Sequence, residues 1–251
     1  MRRIAVINQK GGVGKTTSVM NIGYGLTQAG KKVLLVDLDP QAHLTYSTGI
    51  AAHELEKTIY EVLKGENKMK DIIIKKDIID IAPSNLSLSG ADVELSGVPG
   101  REFLLKEALE GLDYDFILFD CPPSLGILTV NALVAASEVF IPLQTEYLAL
   151  QGISTLLKTI DIVKKRLNSS LEITGVIATR FSRNKRLNRE VIEVIKQHFN
   201  DKLFNTYIRE NISLAEAPSF GKSIFEYKPK SYGAIDYSNL CKEILTRGNH
   251  E

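Results

Sequence analysis

Gln9-Lys10-Gly11-Gly12-Val13-Gly14-Lys15-Thr16-Thr17 decides how the rest of the chain is read. The apolar run Ile4-Ala5-Val6-Ile7 precedes it, and Val19, Ile22, Leu26 and Ala29 follow at helical spacing. The order is strand, loop, helix, which is where a phosphate cradle belongs. Gly11, Gly12 and Gly14 let the backbone turn through positive φ and bring its N–H groups close to phosphate oxygens, and the helix N-terminus adds its partial positive charge. In such a loop Lys15 reaches the β- and γ-phosphates, and the Thr16 hydroxyl ligates Mg2+. An incidental glycine-rich turn has no need of Gly-Lys-Thr at a strand-to-helix junction.

The standard pattern places its first glycine at position 9, where this chain has Gln9, and a second lysine, Lys10, stands just before the glycine pair. Lys10-Gly11-Gly12-Val13-Gly14-Lys15-Thr16 resembles the deviant Walker A box of the ParA/MinD ATPases, and the resemblance runs from Arg2 to about Leu245. It implies ATP and Mg2+ as ligands and nucleotide contacts from Lys10, Gly11, Gly12, Val13, Gly14, Lys15, Thr16 and Thr17. It also implies that Lys10 reaches across a nucleotide-bridged homodimer to the partner's phosphates; the plainer alternative is a solvated loop lysine.

With 251 residues and 44% hydrophobic content, the chain can bury a substantial core and fits one α/β domain spanning 1–251. A formal net charge of +1 means that any nucleic-acid surface must be a local patch. The N-terminus enters a strand at once, no apolar run approaches a membrane span, and no helix-turn-helix is expected ahead of Ile4, so a cytoplasmic protein is expected. Cys121 and Cys241 lie far apart without metal-ligand spacing and read as core thiols.

Along the chain, Gly30 reads as a helix C-terminal cap, and Lys32-Val33-Leu34-Leu35-Val36-Asp37-Leu38-Asp39-Pro40-Gln41 as a buried parallel strand that ends in two carboxylates. Ligands of open α/β sheets bind beyond the carboxyl ends of strands, which places Asp37 and Asp39 near the phosphates. Turn-forming acids after a strand are the alternative. The resemblance makes Asp39 the residue that orients the attacking water and gives Asp37 a supporting place around the magnesium. A short helix is expected in 55–63, a strand in 77–82, scaffold helices around 86–95, and a helix over 103–112. Tyr114-Asp115-Phe116-Ile117-Leu118-Phe119-Asp120 has the form of a Walker B box, with Asp120 holding a magnesium-bound water. The next residues, Cys121-Pro122-Pro123-Ser124-Leu125-Gly126, resemble the family's γ-phosphate-sensing loop. Strands follow at 139–143 and 172–179, with a long helix between them toward Leu167. Around Glu146, Tyr147, Leu150 and Gly152 the pattern fits the ParA/Soj branch, and equally a helix cap followed by a core face. The alternation gives a doubly wound, mostly parallel sheet flanked by helices, with nucleotide at its carboxyl edge.

Residues 180–196 hold six basic side chains (Arg180, Arg183, Lys185, Arg186, Arg189, Lys196) against Glu190 and Glu193. Leu187, Val191, Ile192 and Ile195 are expected to form the buried stripe of a helix, which turns the charges outward. Lys222, Lys228 and Lys230 form a weaker cluster. Such a set suits sequence-independent phosphate contacts, and it also suits an ordinary solvated face. By resemblance the DNA-facing residues are Arg183, Lys185, Arg186, Arg189, Lys222 and Lys230. The chain departs from the family in having Ser213 where Soj-like proteins commonly carry a second arginine. The usual Pro-Arg-Asn of the adenine-side loop appears as Arg209-Glu210-Asn211. Arg209 and Asn211, with Thr179 and Arg180 at the preceding strand end, are the candidate contacts there.

The resemblance implies a nucleoid-associated partitioning ATPase. Its ATP-bridged dimer binds nonspecific double-stranded DNA and is released by hydrolysis that a ParB-like centromere-binding partner stimulates. A MinD-like protein would use a C-terminal amphipathic anchor, and the ending Leu245-Thr246-Arg247-Gly248-Asn249-His250-Glu251 is short and polar, so no membrane partner is expected. A cargo-positioning relative shares the same features, and only its partner separates it. An electron-delivering ATPase would need paired cysteines for an iron–sulfur cluster, and a metabolic ligase would need a substrate pocket that no motif announces.

Overall fold

Phe116-Ile117-Leu118-Phe119-Asp120 is buried at every position, as a strand must be when helices cover both faces of its sheet. Each of its large apolar side chains contributes about 1.5–3 kcal/mol on burial, enough together for the strand to carry a buried carboxylate at its end. In the computed structural model, which describes residues 1–147, 149–150 and 152–247, this strand is β5, at the centre of a seven-stranded sheet. Leu148 and Gln151, in the turn compared with the ParA/Soj branch, and the polar ending 248–251 lie outside the described residues.

The strands are β1 (Arg2–Val6), β2 (Val33–Asp37), β3 (Ile74–Lys76), β4 (Ile79–Ala82), β5 (Phe116–Asp120), β6 (Glu138–Gln144) and β7 (Glu172–Thr179). The helices of the first half are α1 (Lys15–Gln28), α2 (His43–Ser47), α3 (Ile59–Leu63), α4 (Met69–Ile72), α5 (Ala91–Glu94) and α6 (Leu104–Ala108). Those of the second half are α7 (Ile127–Ala135), α8 (Ile153–Arg166), α9 (Arg186–Phe199), α10 (Ile212–Glu216), α11 (Ile224–Tyr227) and α12 (Tyr232–Arg247). Strand order is β3-β4-β2-β5-β1-β6-β7, parallel throughout except for the antiparallel β3–β4 pair.

Strand side chains alternate between the two faces, and the core divides accordingly. Ile4, Val6, Leu35 and Leu118 pack with α1, α2, α11 and α12 on one side. Ala5, Ile7, Leu34, Val36, Ile117 and Phe119 pack on the other with α3 through α9. Both cysteines are buried free thiols.

Several expected boundaries shift. The helix of 55–63 begins only at Ile59, where Thr58 and Glu61 form a reciprocal capping box. The helix of 103–112 is confined to Leu104–Ala108, the strand of 77–82 starts at Ile79, and edge strand β3 was not anticipated. Helix α9 begins at Arg186, one residue before the expected stripe opens at Leu187.

The register sets the site. Asp37 pairs with Asp120 across β2 and β5, and Val6 pairs with Asp120 across β1 and β5. The loops after β1, β2 and β5 therefore leave the sheet side by side.

Candidate active site

The loop between β1 and α1 is held by its carbonyl groups. Gln144 Nε2 donates to the Gly12 carbonyl at 2.6 Å, and Thr179 Oγ1 donates to the Val13 carbonyl at 2.9 Å. Asn8 anchors the loop's start, donating to the Pro142 carbonyl and accepting from the Lys10 N–H. Among the described residues, the N–H groups of Gly11, Gly12, Val13 and Gly14 find no acceptor. The φ angles of +72° at Gly12 and +93° at Gly14 turn the chain through the left-handed region. A Cβ at Gly11 or Gly12 would meet nothing within 4 Å, so the loop borders open space. It is a backbone cradle for an anion at a helix N-terminus.

Acidic and hydroxyl groups close one side. Thr16 Oγ1 donates to Asp120 Oδ2 at 2.7 Å, while Asp120 Oδ1 is buried without a partner. Asp37 is satisfied: its Oδ2 accepts from the Thr45 hydroxyl at 2.7 Å and the Thr45 N–H at 2.9 Å, and its Oδ1 from the Asp39 N–H at 3.1 Å. Asp37 thus shapes the turn that carries Asp39. Asp39 itself accepts from the Gln41 N–H through Oδ1, and its carbonyl accepts from the Ser84 hydroxyl at 2.9 Å. Burial, reinforced by the charge of Asp37, pushes the Asp120 carboxyl well above the usual carboxylate range, and the Thr16 hydroxyl opposes the shift. Burial likewise pushes Asp37 up to about 6 despite the hydrogen bonds it receives. Lys15 is held below the ordinary lysine value by burial, with Asp120 and Asp39 working against the shift. Its Nζ lies 3.4 Å from the Lys10 carbonyl.

Buried acid of this kind is stabilised by a cation. Among the described residues no group of three or more His, Cys, Asp or Glu side chains could hold a metal. Mg2+ takes one or two carboxylates and fills its remaining positions with phosphate oxygens and water, so the spare oxygen of Asp120 beside the Thr16 hydroxyl fits that ion.

The other side is a cavity of about 340 Å³ bordered by Gly14, Thr17, Thr179, Arg180, Asn211 and Tyr237; none of Asp37, Asp39 or Asp120 lines it. Its size suits a nucleoside. The structure refines the side-chain assignments here. Asn211 uses its side-chain oxygen to cap α10 through the Ser213 N–H, and Thr179 spends its hydroxyl on the loop. Arg209 forks onto Asp236 at 2.6 Å with its guanidinium over the Tyr232 ring, which leaves its backbone to the cavity. Arg180 holds a left-handed φ of +51° at the rim.

Lys10 stands on the exposed side of the loop, where its Nζ lies 3.3 Å from Glu146 Oε2. In the basic segment, Lys185 pairs with Glu210 and Arg186 with Glu190 on the surface. Arg183, Arg189, Lys222 and Lys230 have no carboxylate within 4.0 Å among the described residues. Leu187 corrects the expected stripe: it is 45% exposed, and buried Asn188 takes the inward place, donating to the Thr145 carbonyl and accepting from the Ser182 N–H.

The positions not anticipated were Asn8, Thr45, Ser84 and Gln144. Only Gln144 left a signal, as a polar residue closing a buried strand in the way Asp120 does.

A family described as an AAA domain matches residues 1–173. The sporulation initiation inhibitor protein Soj of Bacillus subtilis (strain 168) is 46% identical over 249 residues, 98% of each chain. The chromosome partitioning protein ParA of Caulobacter vibrioides is 41% identical over 253 residues, covering 98% of this chain and 95% of its own. Among solved structures, cobyrinic acid a,c-diamide synthase from Mycobacterium smegmatis, with bound ATP analogue and magnesium, superposes with a TM-score of 0.88 at 36% identity, covering 100% of this chain and 96% of that one. A putative plasmid partition protein from Borrelia burgdorferi B31, bound to AMPPNP, gives 0.84 at 29% identity over 98% and 99%.

Proposed function

This chain belongs to the Soj/ParA family of chromosome-partitioning ATPases, and on that premise we propose that it is one ATP-hydrolysing unit whose nucleotide state gates binding to DNA. The observation that carries this is the loop held by its carbonyls, with free N–H groups facing open space beside a Thr16–Asp120 pair that has an oxygen to spare.

ATP lies with its phosphates on Gly11, Gly12, Val13, Gly14, Lys15, Thr16 and Thr17, and its nucleoside in the cavity reached by Thr179, Arg180, Arg209 and Asn211. Thr16 and Asp120 hold Mg2+, with Asp37 supporting from the next strand. The bound Mg2+ supplies charge neutralisation at the phosphate oxygens. Asp39 orients the water, and Lys15 stabilises the negative charge that develops on the transferred group.

Lys10, on the exposed side of the loop, reaches the nucleotide of a second copy, so two chains face each other across two nucleotides. The dimer joins two basic faces, and the second half-site then binds as an intramolecular event. Arg183, Arg189, Lys222 and Lys230, which have no carboxylate partner among the described residues, carry the phosphate contacts, with Lys185 and Arg186 contributing less. DNA binding by the dimer makes the protein nucleoid-associated, and a ParB-like protein stimulates hydrolysis and so releases it. Among the described residues no helix is long and apolar enough to cross a membrane.

The test is binding to random-sequence duplex DNA with ATP, ADP or no nucleotide, for wild type and Asp39→Ala, across a salt series. Binding that requires ATP, persists in Asp39→Ala and weakens steeply with salt supports the switch. No binding in any nucleotide state removes it, and ATP turnover that depends on an added carboxylic acid would favour the synthase-like reading suggested by the Mycobacterium structure.

A further inference from the structure

The segment between β4 and α6 grips both acidic loops. At its start, the fully buried Ser84 donates its hydroxyl to the Asp39 carbonyl at 2.9 Å and its N–H to Thr45 Oγ1 at 3.0 Å, the same oxygen that donates to Asp37. Its middle is seated in the core by Leu88, Ala91 and Leu95. Between Ala91 and Leu95, on α5, Asp92 Oδ1 accepts from the Ile127 N–H at 2.9 Å. That N–H is the first of α7, which begins directly after the loop 121–126 that leaves Asp120.

Among the described residues, helix α7 has no other cap. Its N-cap residue is Gly126, which has no side chain to offer, and its first turn holds no acid. Asp92 supplies from a distant segment both the missing acceptor and a negative charge at the positive end of the helix. Gly126 is itself shaped for this contact: a Cβ there would come within 2.7 Å of Asp92 Oδ1 and 3.0 Å of Oδ2. The loop is also tied from within α7, where Thr129 Oγ1 donates to the Ser124 carbonyl at 2.6 Å, and at its start, where the Cys121 N–H donates to the Val6 carbonyl at 3.3 Å. The end of the loop and the first turn of α7 are thereby tied to each other, and Asp92 adds a tie from that piece to the segment after β4.

We propose that Asp92 is a positioning residue for ATP hydrolysis, acting through the Ile127 N–H to set the loop 121–126, and that the segment from Ser84 to Leu95 couples that loop to the Asp39 turn. Asp92 touches neither the cradle nor the cavity, so it affects turnover without affecting nucleotide affinity. This inference rests on the ATPase function proposed above.

The experiment measures kcat and KM for ATP in single-turnover and steady-state phosphate release, together with amide hydrogen exchange of residues 121–126 in the nucleotide-free protein. Asp92→Ala is expected to lower kcat about fivefold, the size of a lost helix cap, with KM unchanged. Asp92→Asn, which keeps an acceptor oxygen, recovers most of that loss. Gly126→Ala, which pushes the carboxylate away, mimics Asp92→Ala, and the double variant is no worse than either single one because one contact is shared. Exchange in the loop accelerates in both single variants while melting temperatures stay within a few degrees. Wild-type kcat in Asp92→Ala overturns the proposal, as do multiplying losses in the double variant or a KM that rises in step. If wild type turns over no ATP, the ATPase function fails first and takes the kinetic claim with it. Unchanged exchange in Asp92→Ala would then overturn the positioning of the loop as well.

Discussion

Replacing Gly12 by alanine separates what the cradle costs in stability from what it gives in binding. Gly12 sits at φ +72°, and a Cβ there meets nothing within 4 Å, so no packing penalty opposes the change. The penalty is backbone alone: about 1–2 kcal/mol for a left-handed alanine, partly offset by about 0.4–1 kcal/mol from a stiffer unfolded chain. In a chain of this length a net loss near 1 kcal/mol lowers the melting temperature by about 2–4 °C. The new methyl projects into the space the loop's N–H groups face, where an acceptor must come to about 3 Å. Wild type with Mg-ATP at a hundredfold its dissociation constant gains about 2.7 kcal/mol, a rise of roughly 5–10 °C, and Gly12→Ala forfeits most of it. Gly111→Ala is the matched control. Its φ is +70°, nothing lies within 4 Å of the added Cβ, and it precedes β5 at the opposite end of the strand from Asp120. Differential scanning fluorimetry of the three proteins, with and without Mg-ATP, decides the matter. Equal nucleotide-induced shifts in Gly12→Ala and Gly111→Ala would refute the cradle.

Two further outcomes follow from charge. Arg189→Ala reduces the slope of log affinity for duplex DNA against log salt by about one unit, and Lys185→Ala by clearly less, because Lys185 already shares its charge with Glu210 at 2.9 Å; equal changes, read by fluorescence anisotropy, would contradict that ranking. Burial pushes the Cys241 thiol from 9.0 up to about 12 and raises the hydroxyls of Tyr24 and Tyr237 above 10.0. These folded values exceed the unfolded ones, so the stabilisation is complete below about pH 9 and drains as the pH rises, by about 1.4 kcal/mol per pH unit for each group that the unfolded chain alone has ionised. Thermal melts from pH 7 to 11 should be level at first and then fall beyond pH 9; a melting temperature that stays level to pH 10.5 would speak against it.

The cradle, the carboxylate-ended strands and the mostly parallel sheet were legible because each is written in contiguous residues: glycines next to Lys15, or an apolar run closed by Asp37 or Asp120. Strand β3 was not, since Ile74-Lys75-Lys76 is a three-residue edge with two lysines and acquires its identity only by pairing with β4. Leu187 misled for a related reason. Apolar periodicity gave it the inward place, but Asn188 makes two backbone hydrogen bonds there and sets the rotation of α9. The partners that hold the loop, Gln144 and Thr179, and the fork of Arg209 on Asp236, depend on chain segments meeting in space, which no local spacing records.

Strand order has a consequence for synthesis. Because β5 lies between β1 and β2, the glycine loop is completed only by segments made much later than itself. The hydrogen bond from Thr16 to Asp120 spans 104 residues, that from Gln144 to Gly12 spans 132, and that from Thr179 to Val13 spans 166. Contacts of such separation form late, after the entropy of closing long loops has been met. A nascent chain halted before β7 carries the whole motif and yet has no finished cradle. Onset of nucleotide binding on stalled chains of increasing length therefore reports how much of the sheet has assembled, with the step falling after residue 179 has emerged.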